Sequence, residues 1–258
     1  MTPMTTAIGT VLVTGASAGF GASIARRFAA TGARVVVCAR RPERITALAR
    51  ELGDRVHAIE LDVRDRPAVD HAIAALPAEF AAIDVLVNNA GLAKGLEPAQ
   101  RAALDDWDQM VDTNCKGLMY ATRAVLPGMV ARGRGHVINL GSVAASYPYP
   151  GGNVYGASKA FVHQFSLNLR SDLHGTGVRV TCIEPGLAGG TEFSTVRFNG
   201  DQDRARAVYA GVDALGPDDV AEVVHWVATL PPLVNVNVIE LMTVAQSFAA
   251  FQIHRRPS

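Results

Sequence analysis

Seven short runs of β-branched and apolar residues, each separated from the next by a stretch of helical period, organise this sequence. The runs are Thr10–Thr14, Arg34–Ala39, Val56–Leu61, Val85–Asn88, His136–Leu140, Val178–Ile183 and Val238–Met242. Several are continuously apolar (VLV, VVVCA, DVLV), as strands covered on both faces require. Helical patterns fall between them at about 20–31, 42–52, 66–76, 105–131, 155–174 and 217–229. Strand and helix in alternation specify an α/β fold, a parallel sheet with helices on both faces. At 258 residues the chain has room for roughly 1.7 domains of typical size. No Pro/Gly/Ser-rich linker, repeat or low-complexity block divides it, so 1–258 reads as a single domain. The longest stretch without a clear period runs from Gly186 to about Asp201. Such a segment inside a compact domain marks a lid or binding loop, and about 187–215 is read as a substrate lid.

Hydrophobic residues make up 49% of the chain and charged ones 19%, which excludes a disordered chain. The 24 Lys+Arg offset 24 Asp+Glu, removing the global field of a nucleic-acid coat or a polybasic membrane binder. Cys38, Cys115 and Cys182 form no CxxC, so zinc ribbons and redox dithiols lack their signature. Cys38 and Cys182 fall in apolar strands and read as small core residues. His136 and His163 have no partners at metal spacing, and no metal is expected. The N-terminus lacks a basic n-region and cleavage site, and no apolar run approaches the roughly 20 residues that span a bilayer. The expectation is a soluble, cytoplasmic protein without nucleic-acid or membrane partners.

The first run leads into Thr14-Gly15-Ala16-Ser17-Ala18-Gly19-Phe20-Gly21 and then a helical pattern. Glycines at a strand-to-helix junction let the backbone turn sharply and approach a pyrophosphate, which rests on the helix's free N–H groups. Glycines for packing alone are the alternative. The end of the second strand should meet an adenosine ribose. There the chain offers Ala39-Arg40-Arg41, with no acidic side chain for the ribose hydroxyls and two guanidiniums suited to a 2′-phosphate. That favours NADP(H) over NAD(H); a solvated basic pair opening the next helix is the competing reading.

Tyr155 and Lys159 stand four apart at the start of a helical segment, hence on one face. A tyrosine of pKa near 10 is a poor base at neutral pH, and a neighbouring ammonium favours its phenolate. Ser142 ends the strand HVINLGS at the sheet edge where open α/β folds place ligands. Its hydroxyl could hold a substrate oxygen beside Tyr155, or simply cap a turn. Asn114 interrupts an apolar stripe of Trp107, Met110, Val111, Leu118, Ala121 and Val125. Two roles stay open for it, a structural kink or a hold on a water in contact with Lys159.

TGASAGFG, Asn88-Asn89-Ala90-Gly91, Asn114, Ser142 and Tyr155-x-x-x-Lys159 together resemble the short-chain dehydrogenases/reductases over nearly the whole chain. The resemblance implies a Rossmann-type sheet of order 3-2-1-4-5-6-7 and an Asn-Ser-Tyr-Lys catalytic tetrad. It implies that Gly15, Ser17, Ala18, Gly19, Phe20 and Gly21 cradle the cofactor, with Asp62 and Val63 against adenine and Asn89 near the ribose. Pro185, Gly186 and onward to Thr191 would line the nicotinamide side. A narrower resemblance is to the NADP-dependent 3-hydroxy acid dehydrogenases, in the double arginine, the PGLxGGTEF spacing, DVLVNNAGLAKGLEPA and the closing QSFAAFQIHRR. It implies a homotetramer, to which the final IHRR could add a contact. Cys115 beside Asn114 departs from the polar residue expected there.

The activity so implied is reversible hydride transfer between NADP and the carbon bearing the 3-hydroxyl of a small acid. The substrate class is serine, L-allo-threonine and 3-hydroxypropionate or malonic semialdehyde. A carboxylate substrate needs a cation in a partly dry pocket. Arg197 in STVRFNG is the candidate and Lys94 in GLAKG the second, against solvated loop cations. The alternatives are an NADPH-dependent carbonyl reductase of hydrophobic ketones or acyl substrates, a non-catalytic NADPH-binding sensor and a halohydrin dehalogenase.

Overall fold

A computed structural model describes residues 8–248. Seven strands form one parallel sheet in the order β3-β2-β1-β4-β5-β6-β7. They are β1 (Thr10–Thr14), β2 (Arg34–Ala39), β3 (Val56–Glu60), β4 (Val85–Asn88), β5 (Gly135–Leu140), β6 (Val178–Pro185) and β7 (Val238–Leu241). The helices are α1 (Gly19–Ala30), α2 (Pro42–Leu52), α3 (Arg66–Ala74), α4 (Leu104–Val111), α5 (Leu118–Ala131), α6 (Asn153–Asp172), α7 (Phe193–Arg197), α8 (Gln202–Ala207) and α9 (Pro217–Thr229).

The continuously apolar strands are two-faced, as their composition demands. Val11 and Val13 of β1, with Val35 and Val37 of β2, pack with Ile24 and Phe28 of α1, Ile45 of α2 and Val224 of α9. The alternate residues Leu12, Val36 and Cys38 face the other way, against Val69 of α3, Val125 and Met129 of α5 and Leu169 of α6. A period of two along each strand therefore sorts one apolar run into two cores. Cys38 sits in the second of these cores and Cys182 in a smaller cluster with Leu118 and Val162, and burial pushes both thiols up to about 12.

Two elements depart from the sequence reading. The helix expected over 105–131 is interrupted by a π-type stretch, Asp112–Gly117. There the Asn114 amide is bound to the Leu92 backbone rather than to its own helix. Val111, counted in the apolar stripe, is exposed just before this widening. The irregular Gly186–Asp201 stretch contains α7, five residues long, too short to display a helical period. The excursion from Leu187 to Leu215 is closed at its base by Gly189 N–H to Leu215 O at 2.9 Å and Leu215 N–H to Leu187 O at 3.1 Å. No helix among the described residues is long and apolar enough to cross a membrane.

Candidate active site

The carboxyl ends of β1, β2, β4, β5 and β6 open onto a cavity of about 620 Å³. Its adenosine-facing end is set by the turn after β1. Gly15 has φ +66°, and a Cβ there would lie 2.8 Å from Ala90 Cα. A Cβ on Gly21 would lie 2.5 Å from both Gly15 O and Asn89 Nδ2. Only glycine fits these two places. The turn is held by Thr14, whose hydroxyl accepts the Asn89 and Ala90 N–H groups at 3.0 Å. Asn89 Nδ2 donates to Thr14 O at 2.9 Å and Gly15 O at 3.1 Å. Asn89, expected near a ribose, therefore lines the cavity with its amide bound to the turn.

α1 begins at Gly19 with no side-chain cap and no acidic residue in its first turn, leaving N–H groups and a positive dipole end for an anion. Arg40 and Arg41 line the same end of the cavity. Arg41 Nη2 donates to Ser17 Oγ at 2.8 Å, and its guanidinium pairs with Glu192 at 2.8 Å; Arg44 reaches the same carboxylate at 2.8 Å. Asp62 is held by the Arg64 guanidinium at 2.6 Å, which keeps its carboxyl below the usual range. Ala18, Phe20, Val63, Pro185, Gly186 and Thr191 line the cavity as expected. Glycines, an uncapped helix start and two arginines on one wall form a donor set that fits a phosphorylated dinucleotide.

At the other end Ser142, Tyr155 and Lys159 come together, each nearly enclosed at 8–9% exposure. Lys159 Nζ donates to Leu140 O at 2.8 Å and lies 5.9 Å from the Tyr155 ring centroid. Burial draws its pKa down to about 8. Ser142 Oγ accepts from Ala144 N–H at 3.1 Å, so the serine caps a turn while its hydroxyl stays beside Tyr155. Burial raises the Tyr155 pKa, opposed by the hydrogen bond with Ser142 and by the Arg197 guanidinium. The Arg197 guanidinium is thus a second cation beside the phenol, in addition to the Lys159 ammonium. Asn114 is 2% exposed. Its amide exchanges hydrogen bonds with the Leu92 backbone at 2.9 Å and donates to Ser158 Oγ at 3.0 Å. Its side chain therefore organises the kink.

Arg197 reaches into the site from α7. Its guanidinium carbon lies 5.1 Å from the Tyr155 ring centroid, 4.8 Å from Phe193 and 6.0 Å from Tyr149. Nη2 donates to Tyr149 Oη at 3.0 Å, and Nε is buried without a hydrogen-bond partner. Lys94 donates to Asn199 Oδ1 at 2.8 Å and does not line the cavity. No group of three metal-ligating side chains occurs among the described residues.

Sequence reasoning missed Thr14, Tyr149, Glu192 and Gln246. Gln246 Oε1 accepts Leu187 N–H at 2.6 Å and ties the closing segment to the cavity wall. Thr14 heads the glycine motif without standing out in it, whereas Tyr149, Glu192 and Gln246 are isolated in sequence from the groups they serve. Glu192 alone gave a signal, as an acid inside the long irregular stretch.

The short chain dehydrogenase family model matches residues 9–202. The chain is 63% identical over 245 residues to the NADP-dependent 3-hydroxy acid dehydrogenase YdfG of Salmonella typhi, covering 95% of this chain and 99% of that protein. It is 54% identical over 247 residues to the serine 3-dehydrogenase of Agrobacterium fabrum, covering 96% and 98%. Among solved structures it is similar to the closed form of serine dehydrogenase complexed with NADP+, with a TM-score of 0.95 and 60% identity over 96% of this chain and 100% of that one. Sheet order, glycine turn and clustered Ser142, Tyr155 and Lys159 agree with these matches, and the chain belongs to the short chain dehydrogenase family.

Proposed function

We propose that the chain is an NADP-dependent oxidoreductase acting on the 3-hydroxyl carbon of small 3-hydroxy acids, the class of serine, L-allo-threonine and 3-hydroxypropionate or malonic semialdehyde. The observation that carries the reading is the caged Arg197, with an unpartnered buried Nε, beside the Tyr155 phenol in one cavity. A half-buried cation among aromatic rings suits a small carboxylate more than the aliphatic chain of a bulky ketone. The names of the similar proteins point the same way.

NADP, when bound, supplies the hydride acceptor for oxidation and the donor for reduction. Gly15, Ser17, Ala18, Gly19, Phe20 and Gly21 would hold its pyrophosphate, Arg40 and Arg41 its 2′-phosphate, and Asp62, Val63 and Asn89 its adenosine. Pro185, Gly186 and Thr191 would border its nicotinamide, and Tyr155 and Lys159 its second ribose. In oxidation, Tyr155 in its phenolate form accepts the substrate's hydroxyl proton at Oη. Ser142 Oγ orients that oxygen, Lys159 carries positive charge beside the phenolate, and Asn114 keeps the wall in shape through Leu92 and Ser158. Arg197 anchors the carboxylate, and the Leu187–Leu215 excursion serves as the lid that carries it. Positioning supplies much of the acceleration.

Replacing both Arg40 and Arg41 by alanine is expected to weaken NADP binding by about 100-fold while changing NAD binding by less than about threefold, since charge-assisted hydrogen bonds are worth about 1.5–3 kcal/mol. Calorimetric titration with each dinucleotide checks it, and equal losses for both would refute the 2′-phosphate assignment. Arg197→Ala is expected to raise KM for 3-hydroxypropionate by about 10–100-fold with a smaller change in kcat. An unchanged KM removes the anchor.

The protein is further read as a cytoplasmic homotetramer. The stacked Phe161 and Phe165 on α6, 5.7 Å apart with Phe161 exposed, and the exposed Val130 on α5 support a subunit contact. The contact expected from Ile253–Arg256 lies outside the described residues.

A further inference from the structure

Glu184 is a buried carboxylate, 2% exposed, that the proton transfer just described does not use. It lies on β6 directly before Pro185 and Gly186 of the cavity wall. Its Oε1 accepts from His163 Nδ1 at 2.7 Å and from Cys182 Sγ at 3.6 Å. It also packs on the end of β5: a Cβ at Gly141 would lie 2.9 Å from Glu184 Cγ and 3.2 Å from Oε1. Gly141 follows Leu140, whose carbonyl receives the Lys159 ammonium at 2.8 Å. Carboxylate and ammonium therefore flank a single peptide unit. On α6, Tyr155, Lys159 and His163 succeed one another at intervals of four, forming one stripe that Glu184 meets from the sheet.

The charges around Lys159 leave Glu184 a distinct place. The nearby sulfurs are Cys115 and Cys182, and burial raises both thiols, Cys182 to about 12, so they stay protonated at neutral pH. The Leu140 carbonyl offers only a dipole. From β7, Glu240 pairs in register with Glu184, but it is exposed and accepts from Tyr147 Oη at 3.2 Å. From α6 come His163, already on the carboxylate, and Ser166, bonded to Cys182. Among the described residues Glu184 is thus the buried carboxylate that packs on the Leu140–Gly141 peptide unit to which Lys159 donates.

We propose that Glu184 is a positioning residue whose carboxylate keeps Lys159 in its ammonium form and seated on the Leu140 carbonyl, so that Tyr155 and the bound ribose meet a cation. The inference rests on the roles given above to Tyr155 and Lys159. A buried amine without an anion loses its proton more readily, so the residue acts through Lys159 and touches neither substrate nor cofactor.

The test compares wild type, Glu184→Gln and Glu184→Asp by calorimetric titration with NADP from about pH 6 to about pH 10. Glutamine keeps an acceptor for His163, aspartate keeps the charge, and melting temperatures verify the fold. NADP affinity in the wild type is expected to fall as Lys159 deprotonates. In Glu184→Gln that midpoint moves down by about one pH unit, with about a twofold loss of turnover at pH 7 that grows to about tenfold near pH 9, while Glu184→Asp stays near wild type. An unmoved midpoint in Glu184→Gln overturns the proposal, as do equal shifts in both variants, which mark packing instead of charge. A wild type that binds no NADP defeats the functional reading itself, a separate result.

Discussion

Tyr155→Phe is expected to lower kcat for oxidation of a 3-hydroxy acid by about 10²–10⁴-fold, the usual contribution of a general base, while the melting temperature stays close to wild type. The substitution removes one oxygen and keeps the ring that meets Phe193 edge-on at 5.6 Å and lies under the Arg197 guanidinium at 5.1 Å. Folding thus loses little, whereas the substrate proton loses its acceptor. Burial raises the Tyr155 pKa, and Ser142 and Arg197 oppose it. The wild-type oxidation rate should therefore climb with pH as the phenol ionises, and Tyr155→Phe should lose that climb. Near wild-type turnover in the folded variant would contradict the assignment.

Lys159→Met should do two opposite things: abolish most of the turnover and stabilise the ligand-free protein at neutral pH. The lysine's pKa falls from 10.5 to about 8 on burial. A drop of about 2.5 units at about 1.4 kcal/mol each corresponds to about 3 kcal/mol carried against folding at pH 7. Between pH 8 and 10.5 the unfolded chain holds a proton that the folded chain has released, so wild-type stability rises with pH across that window. Methionine removes the cost but leaves the Leu140 carbonyl without its donor, returning about 1–3 kcal/mol. The net expectation is a gain of about 1 kcal/mol at pH 7 that reverses as pH approaches 10. Thermal melts of the two proteins at both pH values check this. A variant less stable at pH 7 would show that the buried ammonium is better accommodated than its surroundings indicate.

The strands were legible because β1, β2 and β4 hold short apolar runs (VLV, VVVCA, VLV), and the others keep β-branched residues between turn signals although polar residues interrupt them. The glycine turn was legible for the same local reason, since positive φ at Gly15 and the close approach at Gly21 tolerate no other residue. Asn114 was noticed as a polar break in an apolar stripe, yet its partners, Leu92 and Ser158, lie 22 and 44 residues away. No local pattern could show those partners. Arg197 was chosen for its charge in an irregular segment, and the aromatic cage that distinguishes it from Lys94 is tertiary. His163 read as an unremarkable helical histidine because Glu184, its partner, stands 21 residues on, within an apolar strand.

The central claim is that this chain moves a hydride between NADP and small 3-hydroxy acids. Initial rates of absorbance change with NADP and then NAD, across L-serine, L-allo-threonine, 3-hydroxypropionate and 3-hydroxyisobutyrate, test it most directly. Turnover of 3-hydroxy acids with NADP is expected, and rates with NAD lower by about tenfold or more. A strong NAD preference, or no turnover of these acids beside ready reduction of aryl ketones, would contradict it.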